Sequence, residues 1–345
     1  MRAGVTANHM IVGLGRKILA ADILRETAAD ATRSSNLADF PTGPFRTSSR
    51  QRDQAAFPCL IDIAHGRTLY VPGLDAQRLR EAPFANVFAR TEAKSVLSVP
   101  WEAGPINRPV VKADPLYVFS SGRCGSTLLH NILTAAGVNG VSEPDIATAL
   151  ISPVYDKRPL MRPLLRWATR TFVRDLASAL GEGRGPLVVK LRSQFCRAAE
   201  PLLKGSCERR TIFMTRDFAS WSRSVGQLFR VSPAYLIQEY RRSLKCYAYL
   251  RQVSHCHFLR YEDLVADPGQ EMARLSEFLG HEITGHAIDE AMAEGSQKGT
   301  RLEKVSEKGV ARWQAMKDEV DHLWMASGTA EFCASILKQE PLPRP

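Results

Sequence analysis

The chain has 345 residues, of which 44% are hydrophobic and 24% are charged, and its formal net charge is +10. This composition is that of a globular protein and excludes a disordered or low-complexity chain. We expect no transmembrane segment, because no apolar run approaches the ~20 residues that span a bilayer.

The seven cysteines are scattered and form no Cys-x-x-Cys pair, so neither a zinc site nor a disulfide framework is indicated. The histidines show no metal-ligand spacing, so we expect no metal. Free thiols and the lack of a recognisable secretion signal both favour a cytoplasmic location. Nothing in the sequence indicates an oligomeric state.

The positive charge is concentrated between Arg158 and Arg216, which enclose thirteen Lys and Arg residues against four Asp and Glu residues. Such a segment attracts anions: nucleic acid, a membrane surface or a polyphosphorylated small molecule. Five of its arginines recur every fourth residue, but prolines at 159 and 163 interrupt a continuous helix. The last three, at 166, 170 and 174, are therefore expected on one helix face. A solvated face is favoured over a groove for an acidic acceptor.

The chain divides into three predicted parts. Residues 1–57 are predicted to be a poorly structured leader with one short helix, because they are polar and without periodicity. Residues 58–110 carry short strand-like pieces and a small helix, which predicts a small N-terminal appendage. Residues 111–340 are predicted to form the main α/β domain.

From residue 115 onward, strand patterns alternate with helix patterns. The strands are PLYVFS, GVNGVS, PLVVKL, RTIFMTR and HCHFLRY, and the helices include STLLHNILTAAG, residues 218–229, residues 233–253 and the segment after Asp267. Short apolar strands separated by helices predict a parallel sheet covered by helices on both faces, an α/β fold.

The first of these strands leads into the loop SSGRCGST, residues 120–127. A glycine-containing loop between a strand and a helix presents backbone N–H groups to a phosphate. Compared with the nucleoside-triphosphate loop G-x-x-x-x-G-K-[ST], Gly125 and Thr127 match, but Ser126 replaces the lysine. Arg123 is the only cation in the loop, so the loop suits an anion other than a metal-bound triphosphate.

At this point the sequence resembles the sulfotransferases that use 3′-phosphoadenosine 5′-phosphosulfate (PAPS). Their 5′-phosphosulfate loop is similar to R-C-G-S-T-L at 123–128. Their 3′-phosphate motif, an arginine at a strand end and a serine eight residues later, matches Arg216 and Ser224. A third segment, LRYEDLVADP at 259–268, is similar to a phrase common in the family. The three motifs occur in the family's order and imply a fold like that of the P-loop kinases.

The resemblance implies PAPS as co-substrate and 3′,5′-ADP as product. It assigns the 5′-phosphosulfate to the loop and the 3′-phosphate to Arg216 and Ser224, because a guanidinium matches phosphate oxygens. Tyr261 is expected either to contact the nucleotide or to be a buried structural tyrosine. The expected loop residues are Arg123, Cys124, Gly125, Ser126 and Thr127.

Sulfuryl transfer needs a general base for the acceptor hydroxyl and a cation at the bridging oxygen. Some branches of the family place a histidine where this chain has Arg192, which cannot act as a base. In other branches the base is a glutamate, which implies Glu143, with Asp145 as the second choice. A purely structural role at a helix N-terminus is the alternative for Glu143. Lys190, together with Arg123, is the candidate cation.

The sequence therefore predicts a PAPS-dependent O-sulfotransferase whose acceptor is a small molecule, a carbohydrate or a lipid headgroup. Residues 296–301, Lys304 and Trp313 loosely resemble the lid that closes over the nucleotide in the family. A P-loop kinase or nucleotide phosphotransferase is one alternative, although the loop lysine is missing. A basic nucleic-acid-binding protein is the other, although the basic segment lacks interleaved aromatic residues.

Overall fold

A computed structural model of the chain describes residues 18–23, 40, 42–44, 46–47, 56–103, 115–152, 155, 157–180, 184–204, 209–294 and 305–338. The strands are β1 Leu19–Asp22, β2 Arg46–Thr47, β3 Ala56–Asp62, β4 Arg67–Pro72, β5 Ser95–Pro100, β6 Leu116–Ser120, β7 Val138–Ser142, β8 Arg184–Lys190, β9 Arg210–Thr215 and β10 His255–Arg260. The helices are α1 Ala76–Glu81, α2 Ala85–Glu92, α3 Ser126–Ala135, α4 Arg162–Leu180, α5 Ala199–Leu203, α6 Phe218–Leu228, α7 Pro233–Val253, α8 Tyr261–Ala266, α9 Pro268–Leu279, α10 Gly285–Glu294, α11 Glu307–Ala326 and α12 Thr329–Leu337.

The chain forms two compact units, each built from several separate segments of the sequence. The first unit comprises residues 1–115, 137–189 and 204–206, and the second comprises residues 116–136, 190–203 and 207–345. This division differs from the boundaries at 57/58 and 110/111, which remain predictions. Strands β1 and β2 fall within the predicted leader, and most of that leader lies outside the described residues. The described residues 18–23 lie within the segment expected to form the short helix, and they contain β1 instead.

The first unit contains an antiparallel sheet with the strand order β2-β1-β5-β4-β3. Strands β3 and β4 form a hairpin, with a register shift between Pro58 and Leu60. Helix α4 packs on β3. Its buried residues include Leu165, Phe172 and Leu176, and the Phe172 ring meets Tyr70 of β4 edge to face. In the same unit, β8 is the neighbour of β7.

The second unit contains a parallel arrangement of β10, β9 and β6, in that order. Phe119 of β6 lies opposite Phe213 of β9, and both are fully buried. All five residues of β6 are buried, as expected of a strand covered on both faces. The end of β8 enters this unit, where the Leu191 N–H donates to the Val118 carbonyl at 2.9 Å. The predicted α/β class, a parallel sheet flanked by helices, is confirmed.

Short-range sequence signals set the ends of several helices. The Ser232 side chain caps α7 by accepting from the Tyr235 N–H, with Pro233 at the first helical position. Asp267 caps α9 in the same way, and Gly280 ends that helix in the left-handed conformation. The starts of α7 and α9 lie where the sequence predicts them.

Candidate active site

The loop between β6 and α3 contains three residues with positive φ angles. Gly122, Arg123 and Gly125 have φ angles of 72°, 51° and 83°, in the left-handed region. Gly125 is the N-cap residue of α3 and has no side chain that could bond the first N–H groups of the helix. Those N–H groups and the positive end of the helix dipole are therefore suited to hold an anion.

The Cys124 side chain points away from any ligand of this loop. It is fully buried, and its Sγ lies 3.6 Å from the Met214 carbonyl oxygen of β9. Burial raises the pKa of this thiol, so the sulfur stays protonated. A ligand could therefore meet Cys124 through its backbone only, a distinction that the sequence motif does not make.

Position 125 requires glycine because the ring of Tyr261, the first residue of α8, lies too close for a side chain. A Cβ atom at position 125 would lie 2.5 Å from Cδ2 of the Tyr261 ring. The same ring also lies against Arg216, whose guanidinium carbon is 4.5 Å from the ring centroid. Tyr261 thus joins the two motifs that the sequence assigns to the two ends of one nucleotide.

Lys190 lies at the end of β8 and beside the start of α3. Its ammonium group donates to the Thr127 hydroxyl at 3.2 Å. The Lys190 side chain is 2% exposed, so it does not extend into solvent as a strand-end lysine would. The neighbouring strand thus provides a cation to the same helix end, although the loop itself lacks the lysine of a P-loop.

Arg123, Arg216 and Ser224, which the sequence assigns to the nucleotide, are brought together. Arg123 Nε donates to the Ser224 hydroxyl at 3.2 Å, whereas Arg216 Nε donates to Ser220 at 2.7 Å. Burial and the positive charge of Arg216 lower the pKa of Arg123. Two guanidinium groups close enough to repel each other favour an anion between or beside them.

The peptide group between Arg216 and Asp217 is held on both sides. Tyr240 of α7 donates its hydroxyl to the Arg216 carbonyl at 2.8 Å, and the Asp217 N–H donates to Glu262 of α8 at 3.0 Å. Asp217 also caps α6 by accepting from the Ser220 N–H at 2.9 Å. These contacts fix where the Arg216 side chain leaves the strand. The Asp-x-x-Ser spacing signalled the cap in the sequence, but nothing signalled Tyr240.

Trp221 of α6 fixes the beginning of the loop. Its indole N–H donates to the carbonyl oxygens of Ser121, at 3.0 Å, and Gly122, at 2.9 Å. The ring lies in an aromatic cluster with Phe218, Tyr240 and Trp324. The same cluster therefore contacts the loop through Trp221 and the Arg216 peptide through Tyr240.

Glu143 lies in the first unit, directly after β7. Its φ angle of 53° is unusual for a residue other than glycine, and such strain often accompanies function. Glu143 is partly exposed, whereas Asp145 is 1% exposed. Between the two carboxylates, Glu143 is therefore the one that an acceptor could reach.

Most of the predicted lid, residues 296–301 and Lys304, lies outside the described residues. Trp313 is 4% exposed and lies against Gly226 of α6, where a Cβ would be 2.6 Å from its ring. Trp313 therefore belongs to the packing between α6 and α11. Among the described residues there is no cluster of His, Cys, Asp and Glu suited to a metal ion, and no helix with the length and hydropathy to cross a bilayer.

Residues 220–329 match the family model described as "Sulfotransferase domain". The matched range contains Ser224, Tyr261 and the segment 259–268. It confirms the resemblance drawn from the motifs, the sulfotransferase class of enzyme and sulfuryl transfer as the general reaction. No curated protein matches the chain in sequence.

Several solved structures are similar to the chain. The sulfotransferase STF9 from Mycobacterium avium has 12% identity and a TM-score of 0.41, over 64% of this chain and 77% of that one. The sulfotransferase domain of the curacin biosynthetic pathway has 14% identity and a TM-score of 0.40, over 63% and 98%. Mouse sulfotransferase SULT7A1, complexed with PAP, has 10% identity and a TM-score of 0.37, over 67% and 86%.

Proposed function

We propose that the chain transfers a sulfuryl group from PAPS to the hydroxyl group of an acceptor. One observation carries the proposal: the loop before α3, the strand-end Lys190 and the Arg216 motif meet through Tyr261, Thr127 and Ser224. Together they offer backbone N–H groups, hydroxyls and three cationic side chains. This donor set fits a nucleotide that carries two separate anionic groups.

The residues fit the two anionic groups of PAPS as follows. The loop backbone at Gly125, with Ser126 and Thr127, would hold the 5′-phosphosulfate at the N-terminus of α3. Arg216 and Ser224 would hold the 3′-phosphate. When bound, the co-substrate supplies the sulfuryl group that the acceptor receives.

The positive charges of Arg123 and Lys190 suit the stabilisation of the leaving group during sulfuryl transfer. They would stabilise the negative charge that develops on the phosphate oxygen as the acceptor is sulfated. Lys190 is buried and held by Thr127, so this charge is already in place and needs no rearrangement. The donor set requires no metal ion for this step.

We propose Glu143 as the general base, on the family resemblance and on its accessibility relative to Asp145. Its carboxylate would accept the proton of the acceptor hydroxyl. The acceptor is proposed to be a small molecule, a carbohydrate or a lipid headgroup, and no nucleic acid is expected. A cytoplasmic location also remains a proposal.

The first experiment measures the melting temperature with 3′,5′-ADP, 5′-ADP or ATP–Mg²⁺, for the wild type and Arg216→Ala. A ligand that binds only the folded state raises the melting temperature. We expect a shift with 3′,5′-ADP that exceeds the shift with 5′-ADP, and loss of this difference in Arg216→Ala. A preference for ATP–Mg²⁺ with indifference to the 3′-phosphate would reject PAPS in favour of a kinase.

A second experiment addresses the base. Glu143→Gln should leave 3′,5′-ADP binding intact and lower sulfate transfer from radiolabelled PAPS to an acceptor pool by about 100-fold or more. Asp145→Asn is the matched control, because it makes the same change at the second-choice carboxylate. Full activity of Glu143→Gln would remove Glu143 from the mechanism.

A further inference from the structure

The N-terminal half of α4 carries apolar side chains on its outer surface. Leu160, in the turn before the helix, is 94% exposed, and Leu164 and Trp167 are 39% and 42% exposed. Leu164 and Trp167 are three residues apart and so share one side of the helix, and Leu160 lies in the turn that leads into it. We call these three residues the outer apolar row. Single exposed apolar residues are ordinary, but a row of three indicates an interaction surface.

The opposite side of α4 already has its packing partners. Leu165, Phe172 and Leu176 are fully buried, and the helix packs there on β3. The outer apolar row is therefore not needed for the core of the first unit.

Basic residues surround the outer apolar row. Residues 157–174 contain six Lys and Arg residues and no acidic residue. Lys157 and Arg158 are exposed at its start. Arg170, which is partly exposed, is the i+3 neighbour of Trp167, and the partly exposed Arg166 is the i−4 neighbour of Arg170. Arg162 is held elsewhere, because its Nε donates to the Tyr155 carbonyl at 2.9 Å and its guanidinium lies over the Tyr155 ring.

We propose that the outer apolar row and its flanking arginines dock the chain on an anionic lipid bilayer. A tryptophan and two leucines can enter the headgroup boundary, while arginines at their side contact lipid phosphates. Arginine stems also cover apolar surface while their charged ends stay in water. This charge pattern is complementary to anionic lipid, and the apolar centre distinguishes it from a nucleic-acid surface, where cations occupy the centre. The proposal is independent of the reaction proposed above.

The test is co-sedimentation of the full chain with vesicles of phosphatidylcholine alone or mixed with phosphatidylglycerol. We expect the chain to bind the mixed vesicles, and this binding should weaken as salt is added. Binding to phosphatidylcholine alone should be weaker by at least roughly tenfold. Failure of the wild type to bind the anionic vesicles would overturn the proposal.

Two pairs of variants separate the apolar row from general charge. Leu160→Ser with Trp167→Ser should reduce binding roughly tenfold, whereas Met325→Ser, which changes another exposed apolar residue on α11, should not. Arg166→Glu with Arg170→Glu should also reduce binding roughly tenfold or more, whereas Lys338→Glu should not. Equal losses in the controls would overturn the proposal.

Other occupants of the surface give different results. Binding to a DNA oligonucleotide that equals vesicle binding and survives Trp167→Ser would identify a nucleic-acid surface and overturn the proposal. A dimer in light scattering that Trp167→Ser dissociates, without vesicle binding, would identify a second copy of the chain and also overturn it. Melting temperatures of all variants are measured in parallel, and unchanged values ascribe the losses to the surface.

Discussion

The hydroxyl of Tyr240 lies 2.8 Å from the carbonyl oxygen of Arg216. The two residues are 24 positions apart, on α7 and at the end of β9. Together with the Glu262 contact to the Asp217 N–H, this bond leaves the peptide at the base of the Arg216 side chain with both polar atoms bonded. The direction in which Arg216 leaves the sheet is thus set by a residue outside every recognised motif.

Tyr240→Phe should reduce selectivity for the 3′-phosphate without changing the rest of nucleotide binding. The variant removes one buried hydrogen bond, worth about 1 kcal/mol, and leaves the ring packing in place. We expect the ratio of the 5′-ADP and 3′,5′-ADP dissociation constants to fall roughly fivefold by calorimetry. Tyr247→Phe, the same change in a buried tyrosine of the same helix, is the control. An unchanged ratio would show that Tyr240 does not position Arg216.

Trp221→Phe should weaken the binding of 5′-ADP and of 3′,5′-ADP by the same factor. The indole N–H donates to two loop carbonyl oxygens, so its loss removes a constraint on the loop before α3. The peptide that follows Arg216 keeps its own hydrogen bonds. With about 1–2 kcal/mol lost, both dissociation constants should rise roughly tenfold. Trp324→Phe makes the same substitution within the same aromatic cluster and should leave the dissociation constants unchanged. Loss of 3′-phosphate selectivity alone in Trp221→Phe would contradict this assignment.

Gly125→Ala should abolish nucleotide binding and destabilise the fold. Alanine would adopt a left-handed conformation at a cost of about 1 kcal/mol and would also place its Cβ 2.5 Å from the Tyr261 ring. Gly137→Ala is a matched control, because Gly137 has a φ of 77° and nothing within 4 Å of an added Cβ. We expect the control to lose only about 1 kcal/mol in urea unfolding and to keep binding 3′,5′-ADP. If Gly125→Ala and Gly137→Ala affected 3′,5′-ADP binding equally, the contact with the Tyr261 ring could not be the cause of the loss.

Stability should fall in mild acid because of His257 on β10. Burial, followed by the charges of Arg274 and His255, lowers the pKa of His257 to about 4 from the ordinary value of 6.5. The unfolded chain takes up this proton at a higher pH than the folded chain, so stability is complete above about pH 6.5 and declines as the pH falls to about 4. The loss amounts to roughly 3 kcal/mol at most. His257→Gln should flatten the pH dependence of the unfolding free energy, and His322→Gln, at an exposed position, should not. An unaltered slope in His257→Gln would place the acid sensitivity elsewhere.

The elements around the site could be predicted because their signals are local. The apolar run of β6, the glycines of the loop and the periodicity of α3 lie within about 20 consecutive residues. The caps Ser232 and Asp267 bond N–H groups only three residues away. The spacing of Arg216 and Ser224 is likewise a local signal, and the anion site that it predicts stays a prediction.

The partners of these side chains could not be predicted in the same way. The hydrogen bonds of Arg123 to Ser224 and of Arg216 to Ser220 depend on how α6 is rotated against the loop, which no sequence spacing specifies. The inward direction of Cys124 also follows from its contact with β9, although its neighbours in the motif are candidate ligands.

Local patterns were sufficient for the order of β6 to β10 and for several helix ends, because each depends on residues close in the chain. The hydrogen bonds of Trp221 to carbonyls 99 and 100 residues away, and those of Tyr240 and Glu262 to one peptide, arise only when the elements pack together. Contacts between distant segments depend on the packing of whole elements, and a hydrogen bond forms only when that packing brings donor and acceptor within about 3 Å. No local pattern encodes such a distance.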